Sequence, residues 1–168
     1  VTAGGGHLNL VFFTDAIMHL SRICRVLQQP RGNALLVGVG GSGRQSLTKL
    51  ASFLSNCTFM QPEISRNYGK QEFREDVKRA LLHAGAKNKP VVFCLTDSQI
   101  VQEEFLEDIN CVLNTGEVPN IFGTEDHDFI REMVTPLAEK NGRGGSRDAL
   151  YSYFIELVRE NLHVVLAM

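Results

Sequence analysis

Ala34-Leu35-Leu36-Val37 runs into Gly38-Val39-Gly40-Gly41-Ser42-Gly43-Arg44-Gln45-Ser46-Leu47, and the reading of this stretch decides the fold. A buried apolar strand feeds a glycine-rich turn that opens into a helix. Backbone N–H groups then converge on one point, with the positive end of the helix dipole behind them. A phosphate fits that point, so the stretch reads as a nucleotide site.

Two motifs share these glycines. Gly38-x-x-x-x-Gly43 is the frame of the phosphate-binding loop of NTPases, which ordinarily continues with Lys and then Ser or Thr; here Arg44 and Gln45 follow. The same residues also read Gly38-x-Gly40-x-x-Gly43, the dinucleotide fingerprint, and Glu63 lies about 20 residues further on, where a ribose-binding acid belongs. A tight strand-to-helix turn that binds nothing is the plain alternative.

Working outward, apolar residues alternate between helical and extended spacing. Thr14 caps a helix carrying Ile17, Leu20, Ile23, Cys24 and Leu27, with Asp15 in its first turn and Pro30-Arg31-Gly32 at its end. After the glycine loop, Leu47, Leu50, Ala51 and Leu54 line one helix face. Cys57 to Met60 reads as a second strand closed by Pro62, followed by a turn at Asn67-Tyr68-Gly69. Phe73, Val77, Leu81 and Ala84 then mark a helix, with Glu75 and Arg79 spaced to pair and Gly85 as its C-cap. Val91-Val92-Phe93-Cys94-Leu95 is apolar without a break, as expected of a parallel strand covered on both faces. Phe105, Leu106, Ile109, Val112 and Leu113 give another helix, ended by Asn114-Thr115-Gly116. Glu117 to Gly145 reads as irregular, Ser146 caps a helix bearing Leu150, Phe154, Leu157 and Val158, and Val164 to Met168 is a fourth strand. Strands alternating with helices predict an α/β fold with a parallel sheet, in which right-handed crossovers bring every loop after a strand to one edge.

The third strand ends in Thr96-Asp97-Ser98. A carboxylate at a strand end beside a glycine loop is where an NTPase holds Mg²⁺ or polarises the attacking water. A plainer role for Asp97 or Ser98 is to cap the helix that follows.

Composition narrows the partners. A formal net charge of −2 with 21% charged residues provides neither a basic field for nucleic acid nor an acidic tail, so any anion site is local. At 168 residues the chain has the size of one domain. Cys24, Cys57, Cys94 and Cys111 lack paired short spacing and read as reduced thiols rather than a disulfide frame or zinc site. No signal peptide or membrane span is legible. The five histidines lack metal-ligand spacing, Glu125-Asp126-His127-Asp128 reads as a solvated acidic loop, and Asn141 to Ser146 as a mobile surface loop. Both ends, a glycine-rich lead at Val1 to Gly6 and an apolar strand at Leu166-Ala167-Met168, read as cuts in a longer chain.

Four stretches together resemble the fourth AAA+ module of axonemal dynein heavy chains. These are Gly38 to Thr48, Thr96-Asp97-Ser98-Gln99, Phe105-Leu106-Glu107-Asp108-Ile109-Asn110, and Leu113-Asn114-Thr115-Gly116-Glu117-Val118-Pro119-Asn120. The resemblance runs from about Leu8 to Met168. It is specific because Gly116-Glu117-Val118-Pro119 and Asn67-Tyr68-Gly69-Lys70 are not generic to AAA+ proteins.

The resemblance implies the large α/β subdomain of a P-loop AAA+ NTPase, a parallel sheet flanked by helices, truncated before its fifth strand and helical lid. Residues 1–7 are then a lead and 8–168 a partial nucleotide-binding core. It implies a place in a ring of six modules in one long chain, a motor that moves on microtubules in the axoneme of cilia and flagella, with a stalk downstream. The implied partners are neighbouring modules, the microtubule through that stalk, and other dynein chains. The implied cofactor is ATP or ADP, with Mg²⁺ at Gln45, Thr96 and Asp97. Leu10, Val11 and Phe12 approach the adenine. Gly38, Val39, Gly40, Gly41, Ser42 and Gly43 wrap the phosphates, and Arg44 takes the phosphate-contacting lysine position. Gln45 replaces the metal-binding hydroxyl, with Ser46 one position late.

Arg binds phosphate but is planar and forked, so it does not place its charge where a lysine ammonium would. At the strand end, either Asp97 is the metal-linked aspartate and Ser98 replaces the water-activating glutamate, or Thr96 replaces the aspartate and Asp97 stands in for the glutamate. Val92 to Leu95, the four apolar residues before the pair, favour the second register. In both registers the pair is incomplete, which predicts nucleotide binding with slow or absent hydrolysis and Asp97 as a degenerate catalytic residue. An active P-loop ATPase and a dinucleotide-binding oxidoreductase are the alternatives. The arginine finger and first sensor residue are expected outside the chain.

Overall fold

In a computed structural model of the chain, residues 14–36, 41–100 and 102–167 are described. Val37, Gly38, Val39, Gly40, Leu10, Val11, Phe12 and Met168 lie outside the described residues, as do the side chains of Thr14, Asp15 and Ser42.

The elements follow in the order α1 (Thr14–Gln28), β1 (Ala34–Leu36), α2 (Gly41–Leu54), β2 (Thr58–Met60), α3 (Lys70–Gly85), β3 (Val91–Thr96), α4 (Glu103–Thr115), α5 (Thr124–Lys140), α6 (Arg147–Asn161) and β4 (Leu162–Ala167). The four strands form one parallel sheet in the order β1-β4-β3-β2. This is the expected α/β fold, and it brings the C-terminal ends of the strands to a common edge.

Helices cover both faces. On β3, Val91, Phe93 and Leu95 enter a core with α3, α4, α5 and α6, while Val92 enters a smaller one with Ile23, Leu27 and Ala51 of α1 and α2. That alternation is the period of two of a strand, and the first five residues of β3 are buried. β1 departs from the expectation of a buried strand: Leu35 is 62% exposed. Among the described residues it is an edge strand that pairs only with β4, and while Ala34 and Leu36 pack toward α1 and α2, Leu35 points to the other face.

Four further expectations need correction. The segment from Glu117 to Gly145 is not irregular, because α5 occupies most of it. Ile130, Val134 and Ala138, one helical turn apart, are buried against the α6 side of the core. Glu125-Asp126-His127-Asp128 is the first turn of that helix rather than a loop. The Asp126 carboxylate accepts the Gly123 N–H at 2.9 Å and pairs with Lys78 at 3.0 Å. Burial works to raise the Asp126 pKa, but the Gly123 N–H and the Lys78 ammonium together hold it below the usual range. Gly85 is not a left-handed C-cap. The cap residue is Ala86 in right-handed helical geometry, and Gly85 is needed for close packing, since a Cβ there would stand 2.3 Å from the Phe154 ring. Arg79 pairs with Asp76 and Lys78 with Glu75, so the helix pairs form at i,i+3 rather than between Glu75 and Arg79.

Two caps are found where expected. Gly116 ends α4 at φ 79°, and the Ser146 hydroxyl accepts the Ala149 N–H at 3.2 Å to start α6. The four cysteines are free thiols.

The turn before β1 is fastened to β4. Val164 N–H donates to Asn33 Oδ1 at 2.8 Å, and His163 Nδ1 lies 2.6 Å from the Gly32 carbonyl. These bonds set the register Ala34↔Val165, so that Leu36, Ala167 and Thr96 end level with one another. Burial lowers the His163 pKa, opposed by the Gly32 carbonyl. The unfolded chain therefore takes up a proton near pH 6.5 that the folded chain refuses. Stability from this group is present above about pH 6.5 and is lost as pH falls toward the depressed folded value. His163→Gln is expected to show a shallower loss of stability than the wild type between about pH 7.5 and pH 5. Urea melts across that range check this, and parallel curves would count against it.

Candidate functional site

The site is assembled from the C-terminal ends of β1, β2 and β3. α2 starts at Gly41, so Gly41, Ser42 and Gly43 already belong to its first turn, where backbone N–H groups lack helical partners. A Cβ built at Gly43 meets nothing within 4 Å. Packing among the described residues therefore does not demand glycine there. Arg44 turns back to the end of β1, its Nη1 3.4 Å from the Leu36 carbonyl. Ser46 is half-buried, and the buried Thr48 hydroxyl donates to the Arg44 carbonyl at 2.8 Å, bracing the helix behind the glycines.

At the end of β3, Thr96 is the last strand residue and Asp97 the first of an exposed turn. Thr96 Oγ1 lies 2.8 Å from Ser98 Oγ and 3.2 Å from Gln99 Oε1, and the Thr96 N–H donates to Gln99 Oε1 at 2.8 Å. The structure gives the exposed Asp97 carboxylate no hydrogen bond or ion pair among the described residues. Neither Asp97 nor Ser98 caps α4, because that helix begins at Glu103 with Gln102 at the cap. The plainer role expected for them is thereby removed.

Gln45 and Thr96 are joined through Gln61, which sequence reasoning missed, and Gln99, which it named only as part of the Thr96-Asp97-Ser98-Gln99 stretch. Gln45 Nε2 donates to Gln61 Oε1 at 2.6 Å, and Gln61 Nε2 donates to Gln99 Oε1 at 3.1 Å. Gln61 follows β2 and Gln99 follows β3. Glutamine carries no charge and belongs to no nucleotide motif, so only the fold reveals the connection. Lys49, Gln61, Pro62, Glu63, Ser98 and Gln99 line an open groove beside it. A second hollow, lined by Arg31, Asn33, Gly116, Arg159 and Leu162, lies where β4 begins, at the other end of the strands.

Strand order decides between the two glycine motifs. In a dinucleotide fold the strand carrying the ribose-binding acid lies next to the strand before the glycine loop. Here β2 and β1 are opposite edges of the sheet. Glu63 therefore stands three strand spacings, roughly 14 Å, across from β1. The dinucleotide reading is overturned. β3 is separated from β1 by β4 alone, so Thr96 lies about 10 Å across from Leu36, with Ala167 between. The end of β1 and the polar groups at the end of β3 are thus separated by one strand.

Comparison with known proteins gives the family. A family model described as the P-loop containing dynein motor region D4 matches residues 8–168. The dynein-1-beta heavy chain of the flagellar inner arm I1 complex of Chlamydomonas reinhardtii is 50% identical over 165 residues, 98% of this chain and 4% of that protein. Human dynein axonemal heavy chain 6 is 50% identical over 162 residues, 96% of this chain and 4% of its own length. Mouse dynein axonemal heavy chain 1 is 48% identical over 161 residues, again 96% and 4%. The chain thus spans about a twenty-fifth of the curated relatives it matches, and their flagellar and axonemal names agree with the cilium or flagellum expected from the sequence. With the parallel sheet, the helix opening at Gly41 and the D4 match over nearly its whole length, the chain belongs to the axonemal dynein heavy chain family, within the P-loop dynein motor region D4.

Proposed function

We propose that the chain is a regulatory nucleotide-binding module of a ciliary dynein motor, holding ATP or ADP on residues 38–43 and hydrolysing it slowly or not at all. Support for binding comes from the helix N-terminus at Gly41 and from Gly43, where a Cβ would meet nothing within 4 Å among the described residues. Leu10, Val11 and Phe12 supply the adenine side and Arg44 a phosphate contact.

The observation that carries slow turnover is the composition of the β3 end. Thr96 spends its hydroxyl on Ser98 and Gln99, and Asp97 is the lone acid of Thr96-Asp97-Ser98. Phosphoryl transfer depends on charge and positioning of the metal and the attacking water, so one acid doing the work of two loses most of the rate. The donor set remains hard oxygen, an amide at Gln45 and a carboxylate at Asp97, which suits Mg²⁺ completed by phosphate and waters. Gln45 and Asp97 would hold that ion, which when bound offsets phosphate charge. The motor's movement on microtubules, through a stalk elsewhere in the heavy chain, and contacts with neighbouring modules and other dynein chains belong to the same proposal.

ADP or ATP is expected to raise the melting temperature, with about 2.7 kcal/mol of added stability at a hundredfold excess over Kd. Phosphate release from ATP is expected to stay near background. Mg²⁺-dependent release lost on Asp97→Asn would establish an active ATPase instead, and a melting temperature unmoved by either nucleotide would refute binding.

A further inference from the structure

The chain of amides at the C-terminal edge of the sheet has a fixed polarity. Besides accepting from Gln61 and from the Thr96 N–H, Gln99 donates through Nε2 to the Pro62 carbonyl at 3.1 Å. The two ends of a glutamine amide have the same outline, so orientation must come from partners whose own polarity is not negotiable. A backbone N–H only donates and a backbone carbonyl only accepts. Gln99 is therefore locked with its oxygen toward Thr96 and its nitrogen toward Pro62. Because that oxygen faces Gln61, the facing atom of Gln61 has to be its nitrogen. The oxygen of Gln61 is then turned to Gln45, and the atom of Gln45 that meets it has to be nitrogen as well. Two backbone groups thus decide, through two side chains, that Nε2 is the bonded end of Gln45 and that Oε1 is the end without a hydrogen bond among the described residues.

An amide oxygen turned toward a phosphate tail repels it. The same oxygen becomes favourable when a divalent cation sits between the two, because it is then a hard ligand. We propose that Gln61 and Gln99 are positioning residues that hold Gln45 oxygen-first, so that this site selects Mg²⁺-bound nucleotide over metal-free nucleotide. The inference rests on the nucleotide reading above and adds to it the form of the ligand. A glutamine in place of a hydroxyl is then a longer arm that can be aimed from the end of β2.

The test is the Kd for ADP, measured by calorimetry in Mg²⁺ and in EDTA. Wild-type protein is expected to bind about tenfold more tightly with Mg²⁺, the worth of one charge-assisted contact. In Gln61→Met and in Gln99→Met that preference is expected to fall about threefold or more, the remainder being held by Asp97 and phosphate, with the EDTA value changed by less than about twofold. Gln45→Met should reduce the preference by the same factor, and Gln45→Met with Gln61→Met should reduce it no more than either alone. Melting of each variant without ligand reports folding; should Gln61→Met not fold, Gln99→Met and Gln45→Met decide the question. A wild-type preference near one, or an unchanged preference in Gln61→Met and Gln99→Met, overturns the relay and leaves nucleotide binding standing. Absence of ADP binding in both buffers overturns the nucleotide reading and the relay with it.

Discussion

Phe154→Ala is expected to lower the unfolding free energy by about 3–5 kcal/mol, the range for truncating a fully enclosed aromatic side chain. The ring is 0% exposed and packs among α3, α5 and α6, with centroids 5.6 Å from Phe122 and 5.8 Å from Tyr151. The cost of such a cavity depends on how far its walls relax. Here one wall is Gly85 of α3, which has no side chain to move in, so relaxation requires a shift of the helix itself. The same geometry predicts a coupling. Gly85→Ala alone places a Cβ 2.3 Å from Phe154 Cε2 and 2.6 Å from Val158 Cγ2, a clash costing about 1–3 kcal/mol, reduced by the gain in helix propensity of about 1 kcal/mol. Once the ring is gone the new methyl occupies part of the hole. The double variant is therefore expected to be more stable than the sum of the single effects by about 0.5–3 kcal/mol. Urea melts of the four proteins at constant m measure this; strict additivity would mean that α3 and α6 separate freely at Gly85.

That pair also shows where the sequence was legible and where it was not. Phe154 was readable as a core residue because it repeats with Leu150, Leu157 and Val158 at helical spacing. Gly85 was readable only as a helix terminator, since glycine carries the same letter whether backbone freedom or close approach is required. α5 escaped notice for two reasons. Its opening acids resemble a surface loop, and Pro136 inside it removes an N–H that would pair with the Glu132 carbonyl. The helix tolerates this because Glu132 and Pro136 are both exposed, while Ile130, Val134 and Ala138 hold the other side. At the site, glycines and an acid next to strands carry strong local signals. The choice between the glycine motifs was different in kind, because it turned on which strands are neighbours, and that is settled by packing across the whole sheet. Gln61 had no local signal and Gln99 was only the end of a recognised stretch, since the roles of both depend on the ends of β2 and β3 being adjacent.

Arg74→Met is expected to cost about 3 kcal/mol, the lower end of the range for orphaning one partner of a buried ion pair. Arg74 Nε lies 3.2 Å from Asp108 Oδ2 and Nη2 lies 3.3 Å from Oδ1, a two-pronged contact between α3 and α4. The Asp108 side chain is 7% exposed and that of Arg74 30%. Desolvation therefore falls mainly on the carboxylate, and the two deletions should be unequal. Removing Arg74 strands a charge in the interior, whereas Asp108→Leu leaves a guanidinium that still reaches water and should cost less. The double variant, Arg74→Met with Asp108→Leu, is expected to lie within about 1 kcal/mol of wild type or above it, because an apolar pair needs no compensation. Urea unfolding of the four proteins separates these cases. An Arg74→Met cost below about 0.5 kcal/mol would place Asp108 energetically with surface ion pairs, despite its burial. The pair sits on the two helices that follow Gln61 and Gln99, so its rigidity bears on how closely those turns are held. Charge removed without charge stranded should loosen neither.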